Sequence, residues 1–69
     1  PLTLAEQQEY LVSALPSIGL KAAQSLLLYF RSIEKMVNAS MSELKQVEGI
    51  GDILAQRIFD VLRNEYKKD

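Results

Sequence analysis

Apolar side chains recur along this chain at three- and four-residue spacings, and the runs are broken at short intervals by proline, glycine or capping residues. That pattern predicts a set of short amphipathic helices. Thr3 followed by Glu6 has the capping-box spacing, and the stripe behind it (Leu4, Tyr10 or Leu11, Leu15) runs to Pro16, which cannot continue a helix. Gly19 opens a second helix over about Leu20 to Phe30. Ser32 caps a short helix from Ile33 to Asn38, and Ser40 with Glu43 repeats the capping-box spacing ahead of another that ends near Val47. The last helix begins near Asp52 and runs to about Asn64 or Tyr66, with Ile53, Leu54, Ile58, Val61 and Leu62 on one side. No segment reads as a strand, because LLLYF continues a helical pattern and has neither turn signals nor β-branched residues. The expected fold is all-α.

Laid over itself with Leu15 on Val47, the chain repeats. LPSIGLKAAQSL aligns with VEGIGDILAQRI, so Ile18 falls on Ile50, Gly19 on Gly51, Ala23 on Ala55 and Leu26 on Ile58. Upstream, Val12 falls on Leu44. Each copy reads as helix, tight turn around an isoleucine, glycine, then a helix carrying alanine one turn on. The isoleucine pins the turn to the core. Gly19 and Gly51 permit positive φ and omit a Cβ that would block close approach. Ala23 and Ala55 let the paired helices pack closely. The amides that open each second helix have no partner inside it and carry the positive end of its dipole, an arrangement that suits a phosphate. One copy alone reads equally well as a compact structural turn. Two copies favour phosphate binding, since a structural turn has no need to repeat its glycine.

Length, composition and charge narrow this picture. The chain has 69 residues, enough for one domain with a modest core. Its net charge is −1 and its pI is near 5.3, without the basic excess common in nucleic-acid-binding domains, so any such affinity rests on few cations and on backbone dipoles and is easily screened by salt. Histidine and cysteine are absent and the carboxylates are scattered, so no catalytic constellation is expected. No apolar run is long enough to span a membrane. The chain begins at Pro1 rather than methionine, and the expectation is a fragment of a larger protein.

VEGIGDILAQRI resembles the helix-hairpin-helix motif, whose hairpins bind DNA phosphates through backbone amides without reading sequence. The tandem pair with its linker, YFRSIEKMVNASMSELKQVEGIG, is similar to the tandem helix-hairpin-helix domain of the XPF/Hef family of structure-specific nucleases, and TLAEQQEYLVSALP looks like the entry to that domain. The C-terminal domain of the bacterial UvrC nuclease has a related layout. The resemblance covers essentially the whole chain. It implies one domain of two pseudo-symmetric units, the first over about 4–30 and the second over about 40–66, joined by a connector over about 31–39. It further implies a C-terminal position beside a repair nuclease or helicase-nuclease, binding to branched or forked DNA, and pairing as a homodimer or with a paralogue. The parent's nuclease site and its Mg2+ would lie outside this chain, which needs no cofactor of its own, and the setting would be intracellular.

On this basis the DNA-contacting residues are Ser17, Ile18, Gly19 and Lys21 in the first hairpin and Gly49, Ile50, Gly51 and Arg57 in the second. Arg57 either reaches a phosphate or pairs with Asp60 or Asp52. Lys45 is solvated or joins the contact. Glu48 and Asp52 repel phosphate, although Asp52 can also cap its helix. The sequence departs from the family pattern at three places: Ser17 stands for the usual first glycine, Ile53 for a frequent lysine that the first copy keeps as Lys21, and Arg31 for a linker glycine. The run SLLLYF covers more than one helical face. Leu26, Leu27 and Phe30 match core positions of the second copy, which leaves Leu28 and Tyr29 pointing elsewhere; with Phe59 and Tyr66 they form the expected dimer surface. The alternative reading is a dimerisation module in which one or both hairpins do not bind DNA.

Overall fold

A computed structural model describes all residues, Pro1–Asp69, as five helices without strands: α1 (Leu4–Ser13), α2 (Leu20–Phe30), α3 (Ile33–Val37), α4 (Met41–Leu44) and α5 (Asp52–Arg63). Helix α1 packs on α2 and α4 on α5, giving the two expected hairpin units, while α3 touches both α2 and α5 and serves as the connector. No helix is long and apolar enough to cross a membrane.

Local chemistry sets the helix starts. Thr3 and Ser40 each form a full capping box, with Glu6 Oε1 and Glu43 Oε1 accepting the cap residue's N–H at 2.9 Å. Ser32 accepts from the Lys35 N–H at 3.1 Å. The Thr3 backbone N–H first, and the Thr3 side chain second, hold the Glu6 carboxyl below the usual glutamate range.

One core runs through both units: Val12, Ile18, Ala23, Leu26, Phe30, Met36, Ala39, Leu44, Val47, Ile50, Ala55 and Ile58. The repeat predicts this core better than the helical stripes do. Ile18 and Ile50 are 5% and 4% exposed, Val12 and Leu44 each 1%, and Ala23, Ala55, Leu26 and Ile58 are fully buried. By contrast Leu4, Tyr10 and Leu11 are exposed, and α1 ends at Ser13 rather than at Pro16. Two successive turns carry the chain onward there, with the Leu15 N–H donating to Val12 O and the Ile18 N–H to Leu15 O. On α5, Ile53 and Val61 also face solvent, and the buried stripe is Ala55, Ile58 and half-buried Leu62. Short helices against a small core bury a narrow strip, so alanine enters it and larger residues one position away stay out. Helix α4 stops at Leu44, and the chain reaches Val47 through tighter three-residue bonds. Helix α5 ends at Arg63, which leaves Tyr66 beyond it and exposed.

Arg63 fastens the connector to the last helix. Its Nε donates to Val37 O at 2.9 Å, its Nη2 to Ala39 O at 3.4 Å, and its guanidinium lies 5.1 Å from the centre of the Phe59 ring.

Candidate nucleic-acid interface

Both hairpin loops are four-residue turns with one construction. In the first, the Ile18 N–H donates to Leu15 O at 3.1 Å; in the second, the Ile50 N–H donates to Val47 O at 3.0 Å. The third residue of each turn has positive φ, 62° for Ser17 and 87° for Gly49. That is the type II pattern, which favours proline second and glycine third. Pro16 therefore does more than stop α1: it sits where its fixed φ suits the turn.

The geometry corrects one expectation. Gly19 and Gly51 have φ of −95° and −93°, an extended conformation open to any residue, and it is Gly49 and Ser17 that need the left-handed region. The value of Gly19 and Gly51 lies in space instead. A Cβ on either meets no protein atom within 4 Å, so these positions border open solvent where another molecule can approach the backbone.

Gly19 and Gly51 are the N-caps of α2 and α5, and neither helix has a side-chain cap. The first intrahelical bonds are Ala23 N–H to Gly19 O and Ala55 N–H to Gly51 O. The amides of Gly19 to Ala22 and of Gly51 to Leu54 thus have no protein partner. The other three helices all satisfy an N-terminal amide with a serine or threonine hydroxyl. Unpaired amides at both hairpin helices leave two sets of donors at positive dipole ends, where an anion binds well. Asp52 does not cap α5, because it is that helix's first residue rather than its cap.

A shallow cleft lined by Gly19, Lys21, Ala22, Ser25, Glu48 and Gly49 brings the hairpins together. Lys21 of the first hairpin and Glu48 of the second share it, so a phosphate there meets one cation and one carboxylate. Ser25, one turn after Lys21, was not foreseen; the four-residue spacing from Lys21 was the available signal. Arg57 pairs with neither Asp52 nor Asp60: its Nη1 donates to Ser17 Oγ at 3.4 Å, Gln56 Nε2 takes Asp60 at 2.8 Å, and Lys45 lies 3.5 Å from the Asp52 carboxylate. Arg57 therefore bridges the two hairpins, and the hydroxyl of the residue replacing glycine is its acceptor. Ile18 and Ile50 are buried, so they hold the turns from beneath, and only their backbone can take part in a surface contact.

Of the four residues expected at a dimer surface, Leu28, Tyr29 and Tyr66 are exposed, while Phe59 is half-buried against the core. The sequence did not single out a separate groove lined wholly by apolar side chains: Leu11, Val12, Leu15, Ile33, Met36, Val37 and Leu62. Its walls come from three helices and the α1–α2 turn, so no single periodicity reveals it.

The chain is 39% identical over 66 residues, 96% of its length, to a Methanocaldococcus jannaschii protein provisionally named an ATP-dependent RNA helicase, and 40% identical over 50 residues to UvrABC system protein C of Leptospira biflexa. It spans only 8% of the length of each of these relatives. Among solved structures, XPF from Aeropyrum pernix superposes with a TM-score of 0.90 at 36% identity, over 97% of this chain and 32% of that one; XPF in complex with DNA gives 0.88 at 35%. The helix-hairpin-helix motif family matches residues 11–69, a span that takes in both type II turns and both uncapped helices, and the chain belongs to that family.

Proposed function

We propose that this domain binds the backbone of DNA without reading sequence, and that it holds a larger repair nuclease or helicase on branched or forked strands. The observation that carries the reading is the pairing of two uncapped, exposed helix starts at repeat-related positions in a chain whose other helices are capped. The likeness to XPF in complex with DNA supports it. The helicase relative is named for RNA and XPF was solved with DNA, so the choice of strand is a question in its own right.

Backbone amides supply the main donors, with Lys21 the cation best placed beside them. Glu48 and the overall charge of −1 oppose binding, so affinity is modest and strongly screened. Titrating a splayed-arm duplex over a range of salt tests this. The log of the association constant should fall with log salt at about 0.9 per phosphate engaged, for about two to four phosphates. Affinity that does not change with salt contradicts the phosphate mechanism.

The apolar groove between α1, α3 and α5 favours a second role, pairing with a like domain, through which a parent enzyme would act as a homodimer or with a paralogue. Sedimentation of Leu11→Glu against Leu28→Glu separates the two candidate faces. Loss of self-association in the first alone places contact at the groove, loss in the second alone places it on the α2 face, and a monomeric parent chain contradicts pairing.

A further inference from the structure

Arg31 closes α2 in a conformation that an arginine resists. Its φ is 73°, in the left-handed region where a helix end favours glycine, and glycine is what the family pattern has there. The bond from its N–H to Leu27 O would be made by glycine equally well. Arg57 and Arg63 donate to protein oxygens, and Arg63 also lies over Phe59. The exposed Arg31 guanidinium has no hydrogen bond, ion pair or aromatic partner of this kind within the chain. Its place at the negative end of the α2 dipole brings only a small, screened benefit. A side chain held in a disfavoured backbone region, with no contact inside the fold to account for it, points to a contact outside.

Leu28 and Tyr29 precede it on the last turn of α2 and are 70% and 50% exposed. The Tyr29 ring stands edge-to-face on buried Phe30, with centres 4.9 Å apart, so it is held in place while half of the residue meets solvent. Tyrosine and arginine are the residues that anchor protein interfaces, and leucine beside them supplies apolar area. The patch lies at the far end of α2 from the Gly19 cap, about 16 Å along the axis, and does not depend on the hairpin reading. Its charge indicates the partner. Lys35, in the first turn of α3, is a second exposed cation, and the neighbouring Glu34 pairs with neither. A second copy brought up by two-fold symmetry would set these cations against their own kind. A nucleic-acid strand would meet the guanidinium but place its phosphates beside Leu28. We propose that Leu28, Tyr29 and Arg31 form a docking surface for a different protein, which presents an acidic segment with a carboxylate next to a leucine or phenylalanine. The carboxylate takes the Arg31 fork in two parallel hydrogen bonds, and the apolar side chain lies on Leu28 and the Tyr29 ring.

NMR titration of the 69-residue chain with a short synthetic peptide that alternates aspartate with leucine and phenylalanine tests the surface. Amide shifts should gather at Leu28 to Lys35 and leave Gly19 to Ala22 unmoved. Arg31→Gly keeps the fold, because glycine suits the left-handed backbone, and should weaken peptide binding about tenfold. Leu28→Gln, on an exposed position, should weaken it about fivefold. The same peptide with lysine in place of aspartate should not bind. Absence of shifts at Leu28 to Lys35, unchanged binding by Arg31→Gly, or equal binding of the lysine peptide overturns the proposal. Shifts of these amides that appear only on concentrating the chain overturn it in favour of a second copy. Shifts that appear only with splayed-arm DNA overturn it in favour of nucleic acid.

Discussion

Arg31 and Ser17 both occupy the left-handed backbone region, at φ of 73° and 62°, and the family resemblance places glycine at both. Arg31 is the C-cap of α2, with its N–H donating to Leu27 O at 2.8 Å. An L-residue pays about 1–2 kcal/mol for this conformation, and part of that returns as lower entropy in the unfolded chain. Arg31→Gly is therefore expected to raise unfolding free energy by about 0.5–1 kcal/mol in urea denaturation. Ser17→Gly should gain less, because it also removes the acceptor for Arg57. The glycines separate in the same manner. Gly49→Ala, at φ 87°, should cost about 1–2 kcal/mol of stability. Gly51→Ala, at φ −93° with open space around the new Cβ, should cost under about 1 kcal/mol and weaken DNA binding more than it weakens the fold. Sequence alone assigned positive φ to the wrong glycine of the motif. The glycine pattern is almost symmetric about Ile50, and only the turn's hydrogen bond, Ile50 N–H to Val47 O, shows which one lies in its third position.

At the scale of the elements, the capping residues made helix starts legible, and Thr3, Ser32 and Ser40 cap the helices that their spacing predicts. Helix ends and buried faces were less legible. Val12 rather than Leu11 enters the core, and Ala55 rather than Ile53, because hydrophobicity ranks the larger or neighbouring residue equally while the crossing admits only the one that fits. The repeat identified both positions correctly, since it compares places in the fold rather than side-chain size. Capping also has a pH signature. The folded-state pKa of Glu6 is depressed, so its contribution is present above the unfolded glutamate pKa and is lost as pH falls through the lower folded value. Chemical shifts of the first turn of α1 should show it loosening as pH falls below the ordinary glutamate range, an effect that Glu6→Gln removes. Arg63 was invisible to sequence reasoning, because its acceptors Val37 O and Ala39 O are backbone atoms brought near by the fold. Arg63→Ala should cost about 1 kcal/mol, measured by thermal unfolding, through lost hydrogen bonds and the lost contact with Phe59.

Across the whole molecule, the pseudo-two-fold arrangement puts two unequal hairpins on one cleft. The first brings Lys21 and no carboxylate; the second brings the freer glycine turn together with Glu48. Arg57 reaches across to Ser17 at 3.4 Å, a contact between the two units. Glu48→Gln should raise DNA affinity severalfold at low salt and much less at high salt, a difference that anisotropy at two ionic strengths reads directly. The two-unit helical fold was legible because duplication leaves a mark in sequence. The apolar groove and the shared cleft were not, because each is assembled from residues far apart in the chain. Phosphate binding by both hairpins is tested by a residue-resolved NMR titration of the backbone amides with a short splayed-arm DNA at low salt. Shifts concentrated at Gly19 to Ala22 and at Gly51 to Leu54, with the capped starts of α1 and α4 unmoved, are the predicted result. Shifts absent from both hairpin helices while DNA still binds would contradict it.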